Sequence, residues 1–99
     1  MNPTITPQKY QKLKKKALII DVRSLLEHQT LPKLPNSINI YYQDLMNNPA
    51  KYIKDKNQLV IVYCNFGNRS GQVAEYLHNQ GYNVFVLEGG IESYCSTKN

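Results

Sequence analysis

Gln58-Leu59-Val60-Ile61-Val62-Tyr63-Cys64-Asn65-Phe66-Gly67-Asn68-Arg69-Ser70-Gly71-Gln72-Val73-Ala74-Glu75-Tyr76-Leu77-His78-Asn79-Gln80-Gly81 is the stretch that decides the fold. Residues 58–63 are strand-like, with a continuous apolar run from Leu59 to Tyr63 rich in β-branched side chains, the pattern of a strand buried on both faces rather than one facing water. A short polar segment carrying Gly67 follows. From Ser70 to Gln80 the period changes to that of a helix, with Val73, Ala74 and Leu77 on one face and Gly81 as the stop signal. A buried strand that turns quickly into an amphipathic helix is half of a parallel crossover.

The same alternation extends in both directions. Thr4 to Thr6 reads as a short leading strand, and Pro7 opens a helix running through Tyr10 and Leu13 to about Lys15, where lysines suit the negative end of the dipole. Ala17 to Val22 is an apolar run broken by Asp21; Ser37 to Ile40 and Asn83 to Leu87 are two more. With 58–63, these four are expected to be buried on both faces. Ser24 to His28 and Tyr42 to Asn47 are helical, the latter through Leu45 and Met46. The fold class is therefore α/β, a parallel sheet covered by helices on both sides, with ligands bound outside the carboxyl ends of the strands. No repeat or linker divides residues 1–99, so one domain with its core from about Thr4 to about Ser96 is expected.

Composition narrows the function classes. The apolar share is 41%, and the longest apolar runs fall far short of the roughly 20 residues that span a bilayer. The lysine-rich start is followed by no apolar segment of leader length, so a cytoplasmic setting and no membrane partner are expected. Five of the twelve basic side chains lie between Lys9 and Lys16 and contribute to a net charge of +5. They read as the solvated face of a helix, because no aromatic-interleaved basic stripe accompanies them, and no nucleic-acid partner is expected. Cys64 and Cys95 lack the spacing of a metal site, and His28 and His78 are distant from them, so neither metal nor cofactor is expected. A cytosolic setting favours free thiols over a Cys64–Cys95 disulfide.

Three strands deliver polar residues to the ligand-binding edge: Asp21-Val22-Arg23, Cys64 to Ser70, and Glu88-Gly89-Gly90. Cys64 follows a buried strand and precedes a helix N-terminus, where inward backbone N–H groups and the positive end of the dipole lower a thiol pKa. Arg69 adds a nearby charge, and Gly67 permits a conformation that a side chain would hinder. A free cysteine is most often structural, but a polar, glycine-bearing loop around the sulfur favours a reactive thiolate. Ser70 is expected to cap the following helix and to touch a bound anion.

Ile20-Asp21-Val22-Arg23 with Glu27, Cys64-x-x-Gly67-x-Arg69-Ser70, and Glu88-Gly89-Gly90 together resemble the rhodanese homology domain over nearly the whole chain. The resemblance implies a three-layer α/β/α rhodanese-like domain with a parallel sheet of about five strands. It also implies a sulfurtransferase whose cysteine, here Cys64, accepts sulfane sulfur from a small anionic donor such as thiosulfate. The resulting persulfide passes to a thiol or cyanide acceptor, a protein dithiol among them. Asn65, Phe66, Gly67, Asn68 and Arg69 match the active-site loop of that family. Two departures lie outside it: Pro32-Lys33-Leu34-Pro35-Asn36-Ser37 stands where Gly-His-Ile-Pro-Gly-Ala is common, and Tyr94 where tryptophan is common.

Two rivals share the constellation. Cysteine phosphatases and arsenate reductases also pair a thiolate with an arginine, but across five residues, whereas four separate Cys64 from Arg69 and leave less room for a tetrahedral oxyanion. A persulfide carrier or recognition module that does not turn over would share the fold without being an enzyme. Asp21 is expected to support the loop through hydrogen bonds, since a carboxylate inside an apolar strand is costly otherwise. Arg23 has three candidate partners: Asp21, Glu27 or an anion above the sheet edge. Glu88-Gly89-Gly90 reads as a tight turn, His28 and His78 as surface or capping residues, and Phe66 as a side chain shaping the entrance. Cys95 would reach Cys64 only if a C-terminal helix folded over the loop.

Overall fold

A computed structural model describes residues 3–97 and turns the apolar runs into five strands: β1 (Thr4–Ile5), β2 (Leu18–Asp21), β3 (Ile38–Asn39), β4 (Val60–Tyr63) and β5 (Val84–Leu87). All pair in parallel, in the order β1-β5-β4-β2-β3. Between them lie α1 (Pro7–Leu13), α2 (Leu25–Thr30), α3 (Tyr42–Asn47), α4 (Pro49–Tyr52), α5 (Asn68–Asn79) and α6 (Gly90–Thr97), with a 3-10 turn at Lys14–Lys16 after α1. None of the helices among the described residues is long and apolar enough to cross a membrane.

Alternation along each strand builds two cores. Val60 and Val62 of β4, with Ile20 of β2 and Val84 and Val86 of β5, face Leu45, Ile53, Val73, Ala74 and Leu77 from α3, the segment after α4, and α5. Ile61 and Tyr63 point the other way, toward Ile5, Tyr10, Leu34, Ile91 and Tyr94. β4 is therefore buried along its whole length, as its sequence predicts. Each such Val or Ile contributes about 1.5–3 kcal/mol of apolar burial. The exception is β3. It lies at the sheet edge with Ile38 44% exposed, so only three of the four strands expected to be doubly buried are so.

The strand order fixes where a site can form. The β2-to-β3 crossover and the β4-to-β5 crossover run in opposite directions from the β2–β4 pair, leaving a crevice at the carboxyl ends of those two strands. Cys64 follows β4 there, and Arg23 follows β2. Helix α2 covers neither face of the sheet. It has no fully buried residue and begins at Ser24 with a reciprocal capping box to Glu27, which fixes the start of the helix.

Residues 88–91 close the third side. Gly89 and Gly90 take φ of +74° and +68°, and α6 starts at once. A Cβ on Gly90 would lie 2.5 Å from the Asn65 carbonyl oxygen and 2.6 Å from that of Cys64. The backbone of the turn thus lies directly against the backbone of the cysteine loop. Gly90→Ala is expected to lower stability by about 2 kcal/mol or more in urea unfolding, from left-handed strain and overpacking together. An unchanged midpoint would show that the two backbones separate freely.

Candidate active site

Cys64 is the first residue beyond β4 and is 2% exposed. Only Asn65, Phe66 and Gly67 intervene before α5 begins at Asn68. The reversal depends on Gly67, whose φ of +106° lies in the region that a side chain disfavours. Its N–H donates to the Cys64 sulfur at 3.1 Å. The carbonyls of this turn are drawn away from the sulfur: Ile91 N–H donates to Cys64 O (3.0 Å), Glu92 N–H to Asn65 O (3.1 Å) and Gly71 N–H to Gly67 O (2.8 Å).

Ser70 completes the sulfur's surroundings and departs from its expected role. Because α5 starts two residues earlier than predicted, Gly67 is the capping position and makes no side-chain cap. Ser70 instead lies inside the first turn, fully buried, with Oγ 3.3 Å from the Cys64 sulfur. Burial pushes the Cys64 thiol up; the Ser70 hydroxyl and the N–H groups of Ser70, Gly67 and Phe66 outweigh it and bring the pKa below the ordinary thiol value.

Asp21 and Arg23 form a wholly buried ion pair beside this turn. Asp21 accepts from the Arg23 backbone N–H (2.9 Å), from Nε (2.9 and 3.0 Å) and from an Nη (2.7 Å). Arg23 also donates to the Asn65 side-chain oxygen (2.8 Å) and to the Pro32 carbonyl (3.0 Å). Of its three expected partners it takes Asp21, so its guanidinium does not face an anion above the sheet. Burial pushes the Asp21 carboxyl up, yet Arg23 and His28 pull it below the ordinary carboxylate range. His28 differs from the surface role expected of it, since its Nδ1 lies 2.8 Å from Asp21 Oδ2.

Glu27 is the residue that sequence reading underweighted. Its carboxylate accepts both terminal nitrogens of Arg69 (2.8 and 2.9 Å), the Asn65 amide (3.2 Å) and the Ser24 backbone N–H (2.9 Å). Hydrogen bonds from Arg69 lead in holding it down, and its pKa falls to about 2. Asn65 is therefore gripped from two sides, its oxygen by Arg23 and its amide by Glu27. Arg69, expected to add a charge near the sulfur, has both terminal nitrogens on the Glu27 carboxylate. The capping box was a local signal for Glu27; its long-range partners had none.

The other expected residues divide clearly. Asn68 and Phe66 are exposed, Phe66 by 68%. Glu88-Gly89-Gly90 forms the tight turn foreseen for it. His78 is exposed on α5 with its ring against Phe85. Both cysteines are free, and Cys95 is exposed on α6. Tyr94, at the second departure from the family pattern, is buried edge-on to Tyr10 and accepts from Gln11. In the first departure, Leu34 is buried and its N–H donates to the Tyr63 hydroxyl.

Known proteins resemble the chain over most of its length. The rhodanese-like domain family matches residues 6–97. The chain is similar to thiosulfate sulfurtransferase PspE of Escherichia coli K12, 35% identical over 79 residues that make up 80% of this chain and 75% of that protein. It is 32% identical over 95 residues to thiosulfate sulfurtransferase GlpE of Pseudomonas savastanoi pv. phaseolicola, covering 94% and 87% of the two chains. Among solved structures, a rhodanese-related protein from Thermoplasma volcanium superposes with a TM-score of 0.84 at 29% identity, covering 96% of this chain and 92% of that one.

Two measurements follow from these electrostatics. In a Cys95→Ser background, the pH dependence of alkylation should place the Cys64 pKa below that of a simple thiol. Ser70→Ala should slow alkylation at pH 7 by about tenfold or more, as loss of one hydrogen bond to a charged group implies; an unchanged rate would remove Ser70 from the cradle. Glu27, held near 2 against an ordinary 4.5, contributes stability that is full above about pH 4.5 and lost as pH falls toward 2. Glu27→Gln should therefore flatten the decline of Tm across that window.

Proposed function

The chain belongs to the rhodanese-like domain family, and on that premise we propose that it is a sulfurtransferase working through a persulfide on Cys64. The observation that carries the proposal is the sulfur's own surroundings: Gly67 N–H at 3.1 Å and Ser70 Oγ at 3.3 Å, with the loop carbonyls turned away. Such a cradle stabilises a negative sulfur.

In the first half-reaction the Cys64 thiolate attacks the outer sulfur of a sulfane donor. With thiosulfate, the S–S bond of the donor breaks and its electron pair leaves on sulfite, while Cys64 keeps the outer sulfur as a persulfide. In the second, an acceptor thiolate or cyanide attacks that outer sulfur and the Cys64 thiolate departs. The donors that lower the thiol pKa serve both halves. They hold the nucleophile ionised at the start and receive it as a leaving group at the end. No general base is needed, and Phe66 stands exposed at the rim of the loop.

Oxyanion chemistry of the phosphatase kind finds less support. Its arginine must face the transferred group, and here both terminal nitrogens of Arg69 are directed at Glu27.

Incubation with thiosulfate is expected to add one sulfur to the protein, removable by cyanide, as read by intact mass. Cys64→Ala should abolish the gain, and a variant that still acquired the sulfur would sink the assignment. Steady thiocyanate production marks an enzyme, whereas a stoichiometric burst followed by slow release marks a carrier.

A further inference from the structure

The charges around Cys64 are paired in a way that bears on which donor it meets. Arg23 is fully buried, and its side-chain nitrogens are taken by Asp21, Asn65 and Pro32. Arg69 gives one hydrogen from each terminal nitrogen to Glu27. Both guanidinium groups at this crevice are thus matched by a carboxylate. The Cys64 sulfur is stabilised by dipoles, namely N–H groups and a hydroxyl, rather than by an unmatched positive charge. Glu27 remains ionised throughout the neutral range, because its pKa lies at about 2.

Thiosulfate brings two negative charges to a thiolate that already carries one. A thiol persulfide, reacting through its protonated form R–S–SH, brings none at the reacting sulfur and an organic group besides. The surface of the helix that carries Glu27 suits the second: Leu25 and Leu26 are 60% and 69% exposed, and Phe66 of the loop is exposed as well. A fully hydrated dianion gains nothing from such groups.

We propose that Glu27 sets the donor preference of this site, by neutralising Arg69 so that a thiol persulfide delivers sulfur to Cys64 in preference to the thiosulfate dianion. This rests on the persulfide reading of Cys64 and sharpens it. The step is Cys64–S⁻ + R–S–SH → Cys64–S–SH + R–S⁻. The donor S–S bond breaks with its electron pair on the inner sulfur, a new S–S bond forms at Cys64, and the proton stays with the transferred sulfur. No outside oxidant or reductant enters. Glu27 touches neither reacting sulfur, so it is a positioning and charge-setting residue rather than a catalytic one.

Single-turnover sulfur uptake on Cys64, followed by intact mass in a Cys95→Ser background, tests this with two donors: thiosulfate, and the persulfide of N-acetylcysteamine, whose tail is uncharged. The wild-type side chains should favour the persulfide. Glu27→Gln should raise the thiosulfate-to-persulfide rate ratio about tenfold at low salt, as Coulomb's law gives for one unit charge acting on a dianion within roughly 6 Å in a water-like medium. The gain should shrink as ionic strength rises. Glu27→Asp, which keeps the charge on a shorter arm, should leave the ratio near that of the unsubstituted protein even if both rates fall. Equal slowing with both donors in Glu27→Gln, or a ratio insensitive to salt, would overturn the proposal and leave Glu27 a purely structural clasp. Failure of the unsubstituted protein to take up sulfur from either donor would instead overturn the persulfide reading itself.

Discussion

A strand buried on both faces has to end, and at its end every backbone group must find a partner away from water. At the end of β4 the protein meets this demand by sorting the two kinds of group. The carbonyls of Cys64 and Asn65 are taken by N–H groups from the first turn of α6, and that of Gly67 by α5's own Gly71. The Gly67 N–H is left facing the Cys64 sulfur. This separation of acceptors from donors is what turns an ordinary strand-to-helix connection into an anion site. The close approach of Gly90 follows from the same constraint, because α6 can reach those carbonyls only if its first backbone atoms touch the loop.

The second layer of the site is a chain of side chains that runs from β2 across the loop. Asp21 holds Arg23, Arg23 holds the oxygen of Asn65, Glu27 holds its amide, and Glu27 also holds Arg69. Burying an ion pair such as Asp21–Arg23 rarely adds net stability, since desolvation consumes most of the attraction. Its consequence here is geometric: the ends of β2 and β4 are tied together where the crevice opens. The turn at Asn65 is fixed in orientation, because its amide has a defined acceptor on one side and a defined donor on the other. Packing thus decides the fold, and this network decides the placement of the loop.

What was legible in the sequence was whatever is local or periodic. The β4 run, the helix after it, the three strand ends and the position of Cys64 all follow from patterns within a dozen residues. A helix start at Ser70 makes that residue a cap, whereas α5 begins at Asn68. Yet 70, 73, 74 and 77 share one helical face, so the spacing itself places Ser70 among the buried residues. The edge position of β3 was hidden, since a short apolar run looks the same with one neighbour or two. Helix α4, at four residues, is too short to show a period. The partners of Glu27 and His28 lie across the fold, and carboxylates and imidazoles carry no sequence mark of their long-range partner. The lowered Cys64 thiol and the Asp21–Arg23 pair are legible in the sequence, whereas the contacts of Glu27 with Arg69 and of His28 with Asp21 are not.

The corrected helix start also changes how the Cys64-to-Arg69 spacing is understood. If the four intervening residues formed an open loop, its span would set the size of the anion it could surround. In the structure only three residues form the turn, and Asn68 and Arg69 already belong to α5. An arginine on the first turn of a helix points where the helix directs it, and here that is toward Glu27 on α2. What the loop can surround is thus governed less by its length than by the engagement of both Arg69 terminal nitrogens with Glu27. A group with several charged oxygens would need that guanidinium, whereas a single sulfur atom added to Cys64 needs only the short-range donors already arranged around it. Dipoles at close range favour a compact, polarisable anion, and a cysteine thiolate is one.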